Sequence, residues 1–236
     1  PGFEWSSILR TTLEAVPSLV MMRWWTTRGK KRTDRQSVFP QMLKVVCKQF
    51  KDNILHVLDR GFASEWTLEK FFRFQQVFLI RWVKTHLFLD ETGKSRKVSR
   101  FFGPKDAVAS RLMRDAARNT FGRVKLFYAT VRHPAFADQA LTLITCKPVK
   151  AGQEPMHLIT NETVHKPVDA WKLVFAYMRR YSIEQTFRYN KSELALESPR
   201  LWRWQNRLKI MAIVSLVYDF LLQTLRNWNA VAWIAI

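Results

Sequence analysis

The chain has 236 residues, 47% of them hydrophobic and 14% aromatic, which is material for a sizeable core and excludes a disordered segment, a collagen-like fibre and a disulfide-stapled miniprotein. Its 39 Lys and Arg outnumber 19 Asp and Glu, and the resulting net charge of +20 concentrates polyanions at the surface, favouring nucleic acid over an anionic membrane as partner. Cys47 and Cys146 lie in apolar sequence without a CxxC, so neither a disulfide framework nor a zinc site is expected, and a reducing compartment fits.

In chain order, Ser18 to Trp25 is an apolar run that reads as a strand. The segment Arg23 to Arg35 crowds Arg28, Lys30, Lys31, Arg32 and Arg35 around Gly29 and reads as a solvated basic loop. Ser37 to Phe50 carries Leu43, Val46 and Phe50 at helical spacing, with Pro40 expected in its first turn, where proline is tolerated. Asn53 to Leu58 is a short buried strand ended by Asp59, Arg60 and Gly61. Ser64 is placed to cap a helix running to about Phe74, and Gln76 to Val83 is a further strand. The alternation of strand and helix predicts a sheet covered by helices.

From about Lys84 to Lys150 the texture is β-rich, with a helix expected after Pro104 and strands at Val124 to Val131 and Leu141 to Cys146. Met156 to Thr160 reads as one more strand. A long helix is then expected from about Asp169 to Leu196, free of Gly and Pro until Pro199, and a closing helix from Leu201 to about Trp228. The C-terminal stretch is greasy, but Asp219, Gln223, Arg226, Asn227 and Asn229 interrupt it before the ~18 apolar residues a membrane span needs, so no membrane is expected.

Several chemistries are dismissed. Gly93, Lys94 and Ser95 mimic the end of a phosphate loop, but Phe88 stands where its first glycine is required. His56, His86, His133, His157 and His165 lack ligand spacing and read as structural. The long helix is more informative. Tyr177, Arg180, Glu184 and Lys191 recur at offsets of three, four and seven. At ~100° per residue they share an arc of roughly 60°, with Tyr181 and Arg188 beside it. A carboxylate among cations suits a place where a divalent metal meets phosphates. The same spacing equally makes a solvated face with i, i+4 ion pairs from Arg180 to Glu184 and from Glu184 to Arg188.

The run from Tyr177 to Lys191 resembles the Y-x2-R-x3-E-x6-K signature of DDE transposases of the insertion sequence four family at all four positions. Leu158-Ile-Thr-Asn161 is similar to the strand leading into that family's signature helix. Ile54-Leu-His-Val-Leu-Asp59-Arg-Gly-Phe62 resembles its second-aspartate motif. The resemblance spans about Leu19 to Lys209 and implies an α/β fold, a ribonuclease-H-like core with a β-rich insertion and C-terminal helices. On that plan residues 1–83 are the incomplete N-terminal part of the core, 84–155 the insertion, and 156–236 the remainder with the signature and closing helices.

The resemblance also implies chemistry. Asp59 and Glu184 would be two of three carboxylates holding two Mg²⁺ or Mn²⁺ ions, while Tyr177, Arg180 and Lys191 would contact phosphates of the transposon end. Arg60 would add a phosphate contact or pair with a nearby carboxylate. Tyr181 replaces the family's usual tryptophan and keeps an aromatic face, with Arg188 nearby. The implied partners are double-stranded DNA, as transposon ends and target, and a second copy in a synaptic homodimer; the implied place is the bacterial cytoplasm, on the nucleoid.

One departure is serious. The first catalytic aspartate belongs on a core strand upstream of Asp59, yet only Asp34, in the basic loop, and Asp52 precede it; Glu4 and Glu14 are the other upstream carboxylates. With Pro1 in place of an initiator Met, the chain is expected to be a C-terminal portion of a transposase, inactive alone. The alternative is a non-catalytic basic DNA-binding remnant.

Overall fold

The computed structural model describes residues 4–11, 17–51, 53–115, 120–150, 152–194 and 203–232, without the side chains of 115, 120, 182, 185–187, 191 and 225–232. The chain is a mixed α/β protein in two compact units, Cys47–Met178 and a second made of Pro1–Val46 with Arg179–Ile236.

The unit Cys47–Met178 is built on an eight-stranded sheet. Strand β3 (Leu55–Leu58) runs parallel to β4 (Val77–Arg81), as the intervening helix α2 (Glu65–Arg73) permits. Ser64 starts that helix by accepting the Thr67 N–H at 3.3 Å. A Schellman motif ends it, with Gln75 at φ 52° and the Gln76 N–H on the Phe71 carbonyl. Strand β4 pairs antiparallel with β10 (Met156–Thr160), β10 with β9 (Phe136–Pro148), and β9 with β8 (Thr120–His133). Strand β7 (Ala109–Asp115) lies on β8, and the hairpin of β5 (Leu87–Leu89) and β6 (Ser95–Lys97) joins β8 through Leu89 and Arg132.

Helix α3 (Pro167–Met178) covers one face because Ala170, Trp171, Val174 and Tyr177 recur at helical spacing. They pack with Leu79, Leu126, Ile144, Cys146 and Leu158. Burying a side chain such as Leu158, fully buried, contributes about 1.5–3 kcal/mol. On the other face α2 buries Leu68 and Phe71, with Phe71 at 5.2 Å from Phe78.

The other unit pairs β1 (Glu4–Arg10) with β2 (Ser18–Trp25), antiparallel. Met22 packs with Met211 and Val214 of α5 (Trp204–Ala232), and Trp25 with Val38 and Met42 of α1 (Arg35–Phe50). Helix α4 (Tyr181–Ser192) completes the elements. Among the described residues no helix is long and apolar enough to cross a membrane.

The structure corrects the sequence reading in four places. Helix α1 begins at Arg35, capped by Asp34, whose Oδ1 accepts the Ser37 N–H at 2.7 Å, so Pro40 lies inside the helix rather than in its first turn. Among the described residues the segment directly after Pro104 forms no helix. Asp106 folds back to accept the Gly103 N–H at 2.7 Å, closing a turn, and the chain enters the sheet when Val108 donates to Leu126. The expected helix from Asp169 to Leu196 is two helices, α3 and α4. At Arg180 the bonding tightens to i→i+3, with the Ile183 N–H on the Arg180 carbonyl at 2.9 Å. Strand β1 was not foreseen at all. The expected helix ends at Leu196 and Leu201 fall outside the described residues. The 84–155 segment supplies β5 to β9, and its β9 pairs directly with β10.

Candidate functional site

Asp59 follows the last residue of β3, with backbone φ −80° and ψ 170°, and opens a short 3₁₀ turn, Arg60–Phe62. A strand ending in Asp-Arg-Gly-Phe thus presents a carboxylate at the sheet's end, because its Oδ1 accepts the Arg60 N–H at 2.7 Å. The same oxygen accepts the Tyr177 hydroxyl at 3.3 Å, across 118 residues of sequence. Tyr177 is 5% exposed, its ring sealed in the core beneath α3 while its hydroxyl reaches the site. Asp59 and Arg60 are themselves exposed.

The end of the sheet around Asp59 is basic. Leu58 pairs with Ile80, so the residues that follow them, Asp59 and Arg81, leave two neighbouring parallel strands at the same end of the sheet. Lys84 pairs with Glu154 at 2.8 Å, and Lys84, Arg60 and Arg81 together hold the Glu154 carboxyl below its ordinary range, Lys84 most of all. Burial, then the fields of Arg81 and Lys84, push the His157 imidazole down to about 4. Its Nδ1 meets the Thr145 hydroxyl at 2.9 Å. His157 is therefore a neutral core group; His56, partly buried and 3.2 Å from the Gln76 side chain, is also shifted down by burial. Of these cations the sequence singles out Arg60 alone; the pairing of β3 with β4 that brings Arg81 to this end of the sheet, and the contact of Lys84 with Glu154, have no signature in local sequence.

Asn161, the last residue of the motif before α3, bridges to β4. Its Oδ1 accepts the Phe78 N–H at 3.0 Å and its Nδ2 donates to the Gln76 carbonyl at 3.0 Å. The amide side chain thereby extends the β10–β4 ladder past Thr160. It fixes the strand that leads toward Tyr177.

The remaining signature residues belong to the other unit. Arg180 precedes α4 and its guanidinium donates to Glu184 at 2.6 Å, the side chains being 17% and 46% exposed. Tyr181 is half exposed and Arg188 exposed. Lys191 lies in α4, and its side chain is outside the described atoms. Since α3 ends at Met178, the single-helix arc expected from Tyr177 to Lys191 does not apply across Arg179 and Arg180.

Carboxylate oxygens are the donors that Mg²⁺ and Mn²⁺ prefer, and Asp59 and Glu184 are of that kind. Among the described residues no three His, Cys, Asp or Glu side chains gather into a group able to hold an ion. The other upstream carboxylates are accounted for differently. Asp34 is a helix cap, which keeps its carboxyl below the usual range; Glu4 is exposed on β1; Glu14 and Asp52 lie outside the described residues. Gly93, from the phosphate-loop mimic, turns the β5–β6 hairpin at φ 80°, its N–H on the Asp90 carbonyl at 2.9 Å. Cys146 is buried, which pushes its thiol up to about 12 and leaves it inert.

Compared with known proteins, the chain matches no family model and no curated protein.

Proposed function

We propose that this chain is the catalytic portion of a DNA transposase resembling the insertion sequence four family, with a ribonuclease-H-like core and a β-rich insertion. The observation that carries the reading is the hydrogen bond from Tyr177 to Asp59. Tyr177 opens one of the two sequence motifs and Asp59 is the carboxylate of the other, and each is recognised without reference to the other.

In this reading Asp59 and Glu184 are two of three carboxylates for a pair of Mg²⁺ or Mn²⁺ ions. Bound there, the ions would supply activation of the attacking oxygen and stabilisation of the leaving one during phosphoryl transfer in DNA. The chain's own residues prepare that site. Tyr177 and the Arg60 N–H hold Asp59 in one orientation, and Arg180 does the same for Glu184. Arg60 and Arg81 at the end of the sheet, and Arg188 and Lys191 on the helix that carries Glu184, would attract the phosphates of transposon-end and target duplexes, with Tyr181 offering an aromatic face. Two copies would hold two ends, in a bacterial cytoplasm. With two assigned carboxylates the isolated chain is expected to nick DNA only at background rate; robust Mg²⁺-dependent nicking lost in Glu184→Ala would contradict that expectation.

A second reading, a basic DNA-binding protein without catalysis, is favoured by the local roles of both carboxylates. Asp59 caps a turn, and Glu184 makes an ordinary i, i+4 ion pair. Duplex binding with and without Mg²⁺ at fixed ionic strength separates the two. The catalytic reading expects Mg²⁺ to tighten binding, and expects Asp59→Asn or Glu184→Gln to remove that gain. A salt-sensitive interaction whose Mg²⁺ response is the same in all three proteins would leave only the second reading.

A further inference from the structure

The outer rows of β7, β8 and β9 carry an unbalanced charge. Along these strands side chains alternate between faces, and the face bearing Leu126, Cys146 and Met113 packs into the core under α3. The opposite face carries Ser110, Leu112 and Arg114 on β7, Phe121, Arg123 and Lys125 on β8, and Lys147 at the end of β9. The register sets Lys125 directly opposite both Lys147 and Ser110, and Arg123 opposite Leu112. Arg123 donates to the Ser110 hydroxyl at 3.3 Å, and its carbonyl accepts the Val149 N–H. The residues at these rows include no Asp or Glu.

Two lysines directly opposite one another in a sheet destabilise it, and a third cation one row away, about 7 Å along the strand, adds to the repulsion. A folded domain carries such a triplet at a cost that a bound polyanion removes. Beside the triplet Phe121 is 68% exposed and Leu112 61%, and Arg114 stands opposite Phe121. An exposed ring on a flat sheet face stacks on an unpaired base, whereas a paired base in a duplex is already stacked.

We propose that this face binds an unpaired nucleic-acid strand, with Arg123, Lys125 and Lys147 on its phosphates and Phe121 stacked on a base. The site lies within one unit and uses none of the carboxylates. It rests on the nucleic-acid part of the proposed function and not on its chemistry.

The test is anisotropy of a fluorescent oligothymidylate and of a duplex, titrated with the full chain over a range of salt. Removing three phosphate contacts in Arg123→Ala/Lys125→Ala/Lys147→Ala is expected to lower the salt slope for the unpaired strand by about 2, at about 0.7 per contact. The exposed basic turn supplies the control, Lys30→Ala/Lys31→Ala/Arg32→Ala, which removes equal charge and is expected to cost much less. Phe121→Ala is expected to weaken the unpaired strand at least fivefold with its slope unchanged, and to leave duplex binding as it was. Lys147→Glu is expected to raise the melting temperature while weakening binding, an outcome that misfolding cannot produce.

Equal losses in the two triple variants, or wild-type binding by the face variant, would overturn the assignment. So would a stabilised Lys147→Glu protein with undiminished affinity. If the wild-type chain bound neither nucleic acid, the proposed function would fall too; if it bound both and only the face variants behaved as wild type, the present inference alone would fall.

Discussion

The Asp59 carboxylate accepts from donors of different kinds, the Arg60 N–H and the Tyr177 hydroxyl among them, and removing the second isolates its part. Tyr177→Phe keeps the buried ring and deletes the hydroxyl. It is expected to cost about 1 kcal/mol of stability in denaturant titrations. His157 gives a pH test. Its folded value of about 4 lies below the ordinary histidine value of 6.5, so between those limits the unfolded chain binds more protons. Stability from the buried neutral imidazole is fully present above the ordinary value and is lost as pH falls toward 4, to a total of about 3 kcal/mol. Melting temperatures measured across that window are expected to fall with acid, and to fall less in His157→Gln. At this scale Asp59 stands out in the sequence as the residue ending a short apolar strand, and Tyr177 as part of a helical stripe of polar groups. Their contact was not legible, because 118 residues separate them and only the packing of α3 on β3 brings them together.

At the level of elements, the strands with the densest apolar runs were the most legible. Strands β2 and β10 begin and end where their runs do, and the Ser64 cap marks the start of α2. The misses have specific causes. A carboxylate folding back on Gly103 replaced a helix after Pro104, and side-chain competition of that kind leaves no periodic signal. The break between α3 and α4 needs no Gly or Pro, only a tightened turn at Arg180, so the absence of breakers was a poor guide to continuity. The end of α2 makes a further prediction. Gln75 holds the left-handed conformation at φ 52°, which disfavours a residue with a Cβ, so Gln75→Gly is expected to raise stability by about 1 kcal/mol in chemical unfolding. Leu158→Ala, in the strand beneath α3, is expected to cost about 2–5 kcal/mol, because it opens a cavity where the side chain is fully buried.

For the molecule as a whole, charge and carboxylates make separable contributions. The net charge of +20 favours polyanions at the surface whatever the chemistry, and an attraction of that kind fades with salt. Composition alone made this much legible. The division into two compact units and the direct pairing of β9 with β10 were not, since strand order in a sheet is set by contacts far apart in sequence. The catalytic proposal depends on something narrower than charge: Asp59 and Glu184 must act on a divalent ion beside bound DNA. The most direct test is a Mn²⁺ titration of the chain in complex with duplex DNA, read by electron paramagnetic resonance. The account predicts a site that Asp59→Asn and Glu184→Gln each weaken by about tenfold or more, and Tyr177→Phe by a smaller factor, with duplex affinity in the absence of metal unchanged. Mn²⁺ binding that is the same in wild type and in both carboxylate variants would contradict it.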